Sequence, residues 1–208
     1  PHPPLVKATK KQKLRANKKD RPPPVPLLSI PCHLDNLPRP GIFAGYTKES
    51  CVCSVIDDQY SDTSQTYLGF NRKSAIVQSE NAWVLFINFC GNEAEYRDKF
   101  LFGDRQVVFT IKKPDAFIER GMITFLVERC ENAPIDQEKK VIMFARPGTR
   151  SKFVFCGECA CAQMTERGNG SMDLLLDLID FEQLIEEEDY KMAFAKMTES
   201  PENVAGVS

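Results

Sequence analysis

The 208-residue sequence predicts an α+β domain that is mostly β, with a curled mixed sheet or small barrel and one or two C-terminal helices. Three observations support this fold class. Short apolar segments rich in β-branched and aromatic residues alternate with turn residues, a helical pattern is confined to the C-terminal end, and the chain shows no internal repeat. Roughly seven strands are expected.

Five segments have the length and composition of buried strands: Ala82–Phe89, Arg105–Lys113, Lys140–Arg146, Lys152–Met164 and Met172–Ile179. Pro147 and Gly148 separate two of these segments, which predicts a β-hairpin. Thr66–Phe70 looks extended, and Cys51–Ile56 suits either a short strand or the first turns of a helix. Met122–Cys130 is a further apolar segment, and it follows Gly121.

The helical pattern begins at Asp180, which is predicted to cap a helix in a capping box with Gln183. Phe181, Leu184 and Ile185 share one face of that helix. The globular domain is assigned to residues 41–198, and residues 199–208 are expected to form a loose tail.

Residues 1–40 are predicted to form a disordered, basic, proline-rich arm. They hold ten of the 14 prolines, and nine basic residues against two acidic ones. The rest of the chain is acidic, with 18 basic and 27 acidic residues. A segment with so few apolar residues buries too little surface to offset its ordering entropy. The sequence Arg21–Pro26 favours an extended polyproline II conformation.

The eight cysteines are interpreted as reduced core residues, because most lie inside apolar stretches and the chain is long enough to form a core without disulfides. Reduced thiols favour the nucleus or the cytoplasm. No segment approaches the roughly 20 continuous apolar residues that span a bilayer, so no membrane partner is expected.

The strongest local feature is the basic cluster of the arm, formed by Lys10, Lys11, Lys13, Arg15, Lys18 and Lys19 with their neighbours. Such a cluster binds phosphates by releasing counterions, or it serves as a nuclear localisation signal. A solvated charged tail with no specific partner is the simpler interpretation.

A second candidate lies at the hairpin tip, where Arg146, Arg150 and Lys152 are close in sequence. These side chains are suited to bind a phosphate, or they decorate an exposed turn. Phe153 and Phe155 would stack on a base or pack in the core, and core packing is the default for most such aromatic residues.

Cys156, Cys159 and Cys161 have a spacing used in zinc sites, and Cys51 or Cys53 would supply a fourth thiolate. Strand alternation argues against this site. It places Phe153, Phe155, Cys159 and Cys161 on one face and Val154, Cys156 and Ala160 on the other, unless a bulge occurs at Gly157. Neither a metal site nor a cofactor is therefore predicted.

Catalysis finds little support, because both histidines (His2 and His33) lie in the arm and no glycine-rich phosphate loop occurs. Asp115, Glu138 and Lys140 resemble the carboxylate and lysine spacing of a restriction-type nuclease, in which the carboxylates hold a divalent metal. This pattern is common by chance. The sequence leaves an enzymatic function open and favours a non-enzymatic one.

Three short motifs carry a resemblance to a known family: Tyr96-Arg97-Asp98, Met143–Arg146 and Phe153–Gly157. Their order resembles an uncharacterised C-terminal domain of bacterial fusions between a phospholipase-D-type nuclease and a superfamily-two helicase. The resemblance covers roughly residues 45–184. Val107–Ile111 stands where that family carries an element with tryptophan or glutamine. The family is similar in layout to SRA and PUA-like barrels, so the resemblance implies binding of modified bases or RNA.

These observations favour a non-enzymatic nucleic-acid-binding module, with a reader of modified DNA as the finer interpretation and DNA preferred over RNA. The acidic body excludes a broad phosphate-binding surface, so any binding face must be a local basic patch. The alternative is a protein-interaction scaffold whose proline-rich arm binds proline-recognition domains.

Overall fold

The computed structural model describes residues 25–56, 68–89, 99–101, 105–112, 121–127 and 139–198. The strands are β1 (Val25–Pro26), β2 (Phe43–Gly45), β3 (Leu68–Gly69), β4 (Ile76–Gln78), β5 (Ala82–Asn88), β6 (Lys99–Leu101), β7 (Gln106–Ile111), β8 (Lys140–Arg146), β9 (Phe153–Glu166) and β10 (Met172–Leu178). The α-helices are α1 (Lys48–Cys53), α2 (121–127), α3 (Phe181–Leu184) and α4 (Glu188–Thr198), and Leu27–Ser29 forms a turn of 3-10 helix.

One mixed sheet organises these elements, in the order β4-β5-β8-β9-β10-β7-β6, with β2 added to β9. The neighbours pair antiparallel except β5 and β8, which are parallel. A separate pair of short parallel strands joins β1 to β3. The predicted α+β fold, a curled mixed sheet followed by C-terminal helices, is confirmed. The predicted hairpin is also confirmed, since β8 and β9 are antiparallel across the turn at Pro147-Gly148.

The sheet is buried on both faces at its centre, because β5 and β8 alternate side chains between two hydrophobic cores. In β5, Trp83 and Leu85 face one core, whereas Val84 and Phe86 face the other. Such double burial explains why β5 reads as a continuous apolar run rather than as an alternating pattern.

Each core takes its name here from the helices that cover it. The α2–α4 core contains, among others, Trp83, Leu85, Met122, Met143, Val154, Cys156, Cys159, Leu176, Phe181, Leu184 and Phe194. The α1 core contains, among others, Leu27, Ile30, Cys51, Val52, Val84, Phe86, Phe144, Phe153 and Phe155. Residues 121–127, whose conformation the sequence left open, are helical and contribute Met122, Phe125 and Leu126 to the first of these cores.

A bulge in β9 changes which residues face which core. Met143 pairs with Gly157 and Phe144 pairs with Phe155, so Cys156 is an extra residue on β9. Gly157 adopts a φ of 86°, a conformation that suits glycine. The predicted alternation is therefore wrong beyond this point, because Cys159 faces the α2–α4 core together with Cys156.

Some of the described residues before residue 41 pack against the domain. Leu27 and Ile30 are buried in the α1 core, and the Cys32 amide donates to the Asn81 side chain at 2.7 Å. Residues 27–32, which the sequence assigns to the arm, therefore contact the described domain. Residues 1–24 and the predicted tail 199–208 lie outside the described residues.

The Asp180 side chain forms no capping bond with α3, so the predicted capping box is wrong. Its Oδ2 instead accepts from the Glu158 amide at 3.2 Å, next to the bulge. The carboxylate therefore binds a backbone amide of β9 and not the amides at the start of α3. Within the described ranges, no helix is long and apolar enough to cross a membrane.

Candidate nucleic-acid interface

The start of helix α1 brings two functional side chains to the surface. The Thr47 side chain accepts from the Ser50 amide at 3.1 Å, and Ser50 bonds back to Thr47 in a capping box. Gly45, two residues before Thr47, lies close to the Ser50 side chain, and a Cβ at Gly45 would lie 2.2 Å from Ser50 Oγ. This tight junction fixes Tyr46, which is 61% exposed, and Lys48, the first residue of α1.

Arg146, at the end of β8, is held by two neighbouring elements. Its Nε donates to the side chain of Asn88 at the end of β5, and its Nη1 donates to the Tyr46 carbonyl at 3.4 Å. The guanidinium carbon lies 4.2 Å from the centre of the Phe153 ring, a cation–π distance. These contacts fix the plane of the guanidinium while its remaining N–H groups can serve a ligand.

Lys48 is a half-buried cation beside Arg146. Its Nζ donates to the Ser74 carbonyl and lies 5.2 Å from the centre of the Phe86 ring. Burial, together with the nearby positive charge of Arg146, lowers the pKa of Lys48 to about 8. A lysine in this position gains from any anion that compensates the charge of Arg146.

Lys152, which precedes β9, completes the group. Its Nζ lies 5.0 Å from the centre of the Phe43 ring and 5.6 Å from the centre of the Tyr46 ring. One face of Tyr46 therefore meets a cation, and much of the ring is open to solvent.

We call Tyr46, Lys48, Arg146 and Lys152 the basic patch. Among the residues that the structure describes, no carboxylate forms an ion pair with any of its three cations. By contrast, the described cations Arg72, Arg105 and Lys140 all pair with glutamates. The patch is thus a local site of positive charge on an acidic domain, with an exposed aromatic ring beside it.

The structure brings part of the sequence-predicted site together. Arg146, Lys152 and Phe153 meet at the patch, whereas Arg150 lies exposed in the turn between β8 and β9. Phe153 and Phe155 are 1% and 0% exposed, and Phe155 packs 5.1 Å from Phe144, ring centre to ring centre. Both rings belong to the α1 core, and Phe153 lies against Arg146, so neither ring is open to solvent for a base to stack on it.

The six arm residues Lys10, Lys11, Lys13, Arg15, Lys18 and Lys19 lie outside the described residues, and phosphate binding by them stays a prediction.

Sequence reasoning missed Tyr46, Lys48 and Asn88. The sequence held one usable signal, because Thr47 and Ser50 form a capping pattern just before the apolar residues of α1. That pattern predicts the start of a helix, but it does not predict that this start lies next to Arg146. Tyr46 and Arg146 are 100 residues apart in sequence, and only the pairing of β2 with β9 brings them together.

The cysteines do not assemble as the zinc hypothesis required. Cys51 lies in the α1 core, whereas Cys156 and Cys159 lie on the opposite face of the sheet. Burial raises the pKa of both Cys51 and Cys156 to about 12, which favours thiols over the thiolates that bind zinc. Within the described part of the chain, no three histidine, cysteine or acidic side chains form a metal-binding group.

The nuclease hypothesis is untested in two of its three residues, because Asp115 and Glu138 lie outside the described ranges. The third residue, Lys140, forms an ion pair with Glu158 at 2.9 Å. Lys140 thus has a structural partner across the β8–β9 hairpin.

The described residues form a β-rich α+β domain that carries the basic patch. No protein-family model matches the chain, and no curated protein matches it in sequence. The resemblance to the nuclease–helicase fusion domain therefore stays a prediction. Among solved structures, the chain is similar to the DNA recognition domain of the cytosine modification-dependent restriction endonuclease LpnPI. The TM-score is 0.38 and the identity 9%, over 65% of this chain and 76% of that chain. A likeness at this level carries no argument about function.

Proposed function

We propose that this protein is a DNA-binding module whose contact site is the basic patch. One observation carries the proposal: Lys48, Arg146 and Lys152 converge from three elements beside an exposed Tyr46, with no carboxylate partner among the described residues. Cations left uncompensated in this way attract phosphates, and the release of counterions makes such binding favourable.

The mixed character of the patch favours a nucleic acid over a simple anion. Guanidinium and ammonium groups position a phosphate, whereas an exposed tyrosine ring offers a surface for a nucleobase. The body of the domain is acidic outside the patch, which restricts the contact to a few nucleotides. The basic arm adds affinity that does not depend on sequence, and its role as a nuclear address stays a prediction.

The finer part of the proposal is recognition of a modified base. A base stacked on Tyr46 exposes its edge to the groups around Arg146, so a substituent on that edge changes the contact. DNA containing 5-methylcytosine is a suitable first probe.

The experiment compares two variants of the full chain in which three basic residues are replaced by neutral glutamine. A variant with Lys48→Gln, Arg146→Gln and Lys152→Gln removes the charge of the patch. A matched control with Arg105→Gln, Lys112→Gln and Lys191→Gln removes the same charge from exposed positions elsewhere. Binding to fluorescein-labelled single-stranded and duplex DNA, with and without 5-methylcytosine, is measured by fluorescence polarisation across a salt series.

We expect the patch variant to bind DNA at least tenfold more weakly and to show a salt slope that is smaller by about 2 to 3 for duplex DNA. The control variant should keep most of the affinity. Equal losses in both variants would mean that only net charge matters, and the patch would then not be the site. If the full chain binds no DNA but binds proline-recognition domains, the interaction-scaffold alternative replaces this proposal.

A further inference from the structure

The segment that leads to the patch is held by helix α4. The amide of Phe43, in β2, donates to Asp189 Oδ2 at 3.0 Å across 146 residues of sequence. Arg39 pairs with Glu187, just before the helix, at 2.5 Å. The amide of Gly41 donates to the Phe155 carbonyl at 2.7 Å, so residues 39–43 lie between β9 and the start of α4.

A continuous series of contacts runs from this helix to the patch. Phe43 packs against the α2–α4 core, and its ring lies under Lys152. Two residues later, Gly45 is in close contact with Ser50, which caps α1 together with Thr47. A shift of β2 therefore moves both Tyr46 and Lys48, because the junction at Gly45 leaves no room for independent adjustment.

We infer that Asp189 is a positioning residue for DNA binding: by accepting from the Phe43 amide it fixes β2 and thereby the geometry of Tyr46 and Lys48. This inference rests on the proposed function. It assigns an acidic side chain, which by charge alone would repel DNA, a role that favours binding.

The inference is testable because the charge of Asp189 and its hydrogen bond to Phe43 have opposite effects on DNA binding. If Asp189 acts only through its charge, both Asp189→Ala and Asp189→Asn strengthen DNA binding. If Asp189 acts through the bond to Phe43, Asp189→Ala weakens binding, whereas Asp189→Asn retains it because the amide oxygen of asparagine accepts the same hydrogen bond.

The experiment measures the binding of the full chain to fluorescein-labelled 12-nucleotide single-stranded DNA across a salt series. The matched control is Glu188→Ala, since Glu188 lies in the same helical turn and its 86% exposed side chain pairs with Lys191 on the same helix. We expect Asp189→Ala to bind about five- to tenfold more weakly. Glu188→Ala and Asp189→Asn should bind at least as tightly as the parent.

A double-mutant cycle separates positioning from a general loss of stability. In a background that carries Tyr46→Ala and Lys48→Ala, the substitution Asp189→Ala should have no further effect on affinity. An equal effect in both backgrounds would overturn the inference, as would tighter binding by Asp189→Ala in the parent. If the parent itself binds no DNA through the patch, the proposed function fails first, which the Lys48, Arg146 and Lys152 variant shows independently.

Discussion

Two groups of charged side chains lie on this sheet, and they are organised in opposite ways. The polar ladder is formed by Gln106, Thr110, Arg167, Asp173 and Asp177 on β7, β10 and the turn before β10. Both of its carboxylates accept hydrogen bonds from neighbouring side chains, Asp177 from Gln106 and Asp173 from Thr110 and Arg167. Arg167 donates to Asp173 Oδ2 at 2.8 and 2.6 Å, and Thr110 donates to Asp173 Oδ1 at 2.8 Å. In the basic patch, the cations contact carbonyls and ring faces, and no described carboxylate pairs with them.

The difference separates charge that holds the fold from charge that is available to a ligand. Hydrogen bonds to a partly buried carboxylate contribute to stability, and the protein loses that stability when one partner is removed. A group of neighbouring like charges costs stability, and such arrangements persist where function requires them. The pKa of Lys48 is lowered chiefly by burial and further by the positive charge of Arg146, so its charged form is disfavoured in the fold.

The largest expected effect concerns the α1 core, to which Phe155 belongs. Phe155→Ala should lower the free energy of unfolding by about 3 to 5 kcal/mol, since a fully buried aromatic ring is lost from the α1 core. Chemical denaturation measures this change. The exposed Leu28 provides a control, and Leu28→Ala should change stability by less than about 0.5 kcal/mol. A Phe155→Leu variant that keeps its stability but loses DNA binding would show that Phe155 does more than fill the core, and the comparison would fail.

The next effect tests the polar ladder. Asp173→Ala should destabilise the fold by about 1 to 3 kcal/mol, because the hydrogen bonds that Thr110 and Arg167 donate to this carboxylate are lost. DNA affinity should stay within about twofold of the parent, apart from the small gain expected from removing a negative charge. Thermal unfolding and the polarisation assay together check both outcomes. A large loss of affinity without loss of stability would place the ligand on the ladder instead.

A smaller effect is expected from Tyr46→Ala, which should weaken DNA binding by about fivefold, near the lower end of the range for base stacking. Stability should change by less than about 0.5 kcal/mol, since the ring is 61% exposed. Tyr46→Phe keeps the ring and should bind as the parent does. Equal affinity of Tyr46→Ala and the parent would reduce the patch to a phosphate contact alone.

The smallest effect is a pH dependence from Lys48. Between pH 7 and pH 9 Lys48 loses most of its proton, because its pKa is lowered to about 8, and DNA affinity should fall by about threefold. The Lys48→Gln variant should show no such decline over the same interval. Folding stability should respond with the opposite sign, rising with pH above about 8, because the unfolded chain holds this proton more tightly than the folded one.

Much of the fold follows from the sequence because its central strands are buried on both faces. Residues 82–87 and 141–145 of these strands are apolar throughout, and Pro147-Gly148 marks the turn after the second strand. The packed segment after Leu27 was missed, since its few apolar residues have no strand or helix period and stand among prolines. The capping role of Asp180 was wrong because an amide on β9 competes for the same carboxylate.

The candidate site was only partly predictable. Arg146, Lys152 and Phe153 stand close together in sequence at one hairpin, so local reading found them. Tyr46 and Lys48 reach the same place through the pairing of β2 with β9, which no local pattern specifies. Phe155 was named in the site as a ring on which a base would stack, yet its side chain faces the α1 core.

The bulge at Gly157 also restricts where residues can be inserted or deleted in related sequences. Because one extra residue in β9 exchanges the two faces, deletion of a single residue between Phe155 and Cys159 would turn the following side chains towards the wrong core. A glycine is required there as well, since a Cβ would lie 2.5 Å from Asp180 Oδ2. Related sequences should therefore keep a fixed spacing across this point, whereas Gly168, where a Cβ meets nothing within 4 Å, is free to be replaced by other residues.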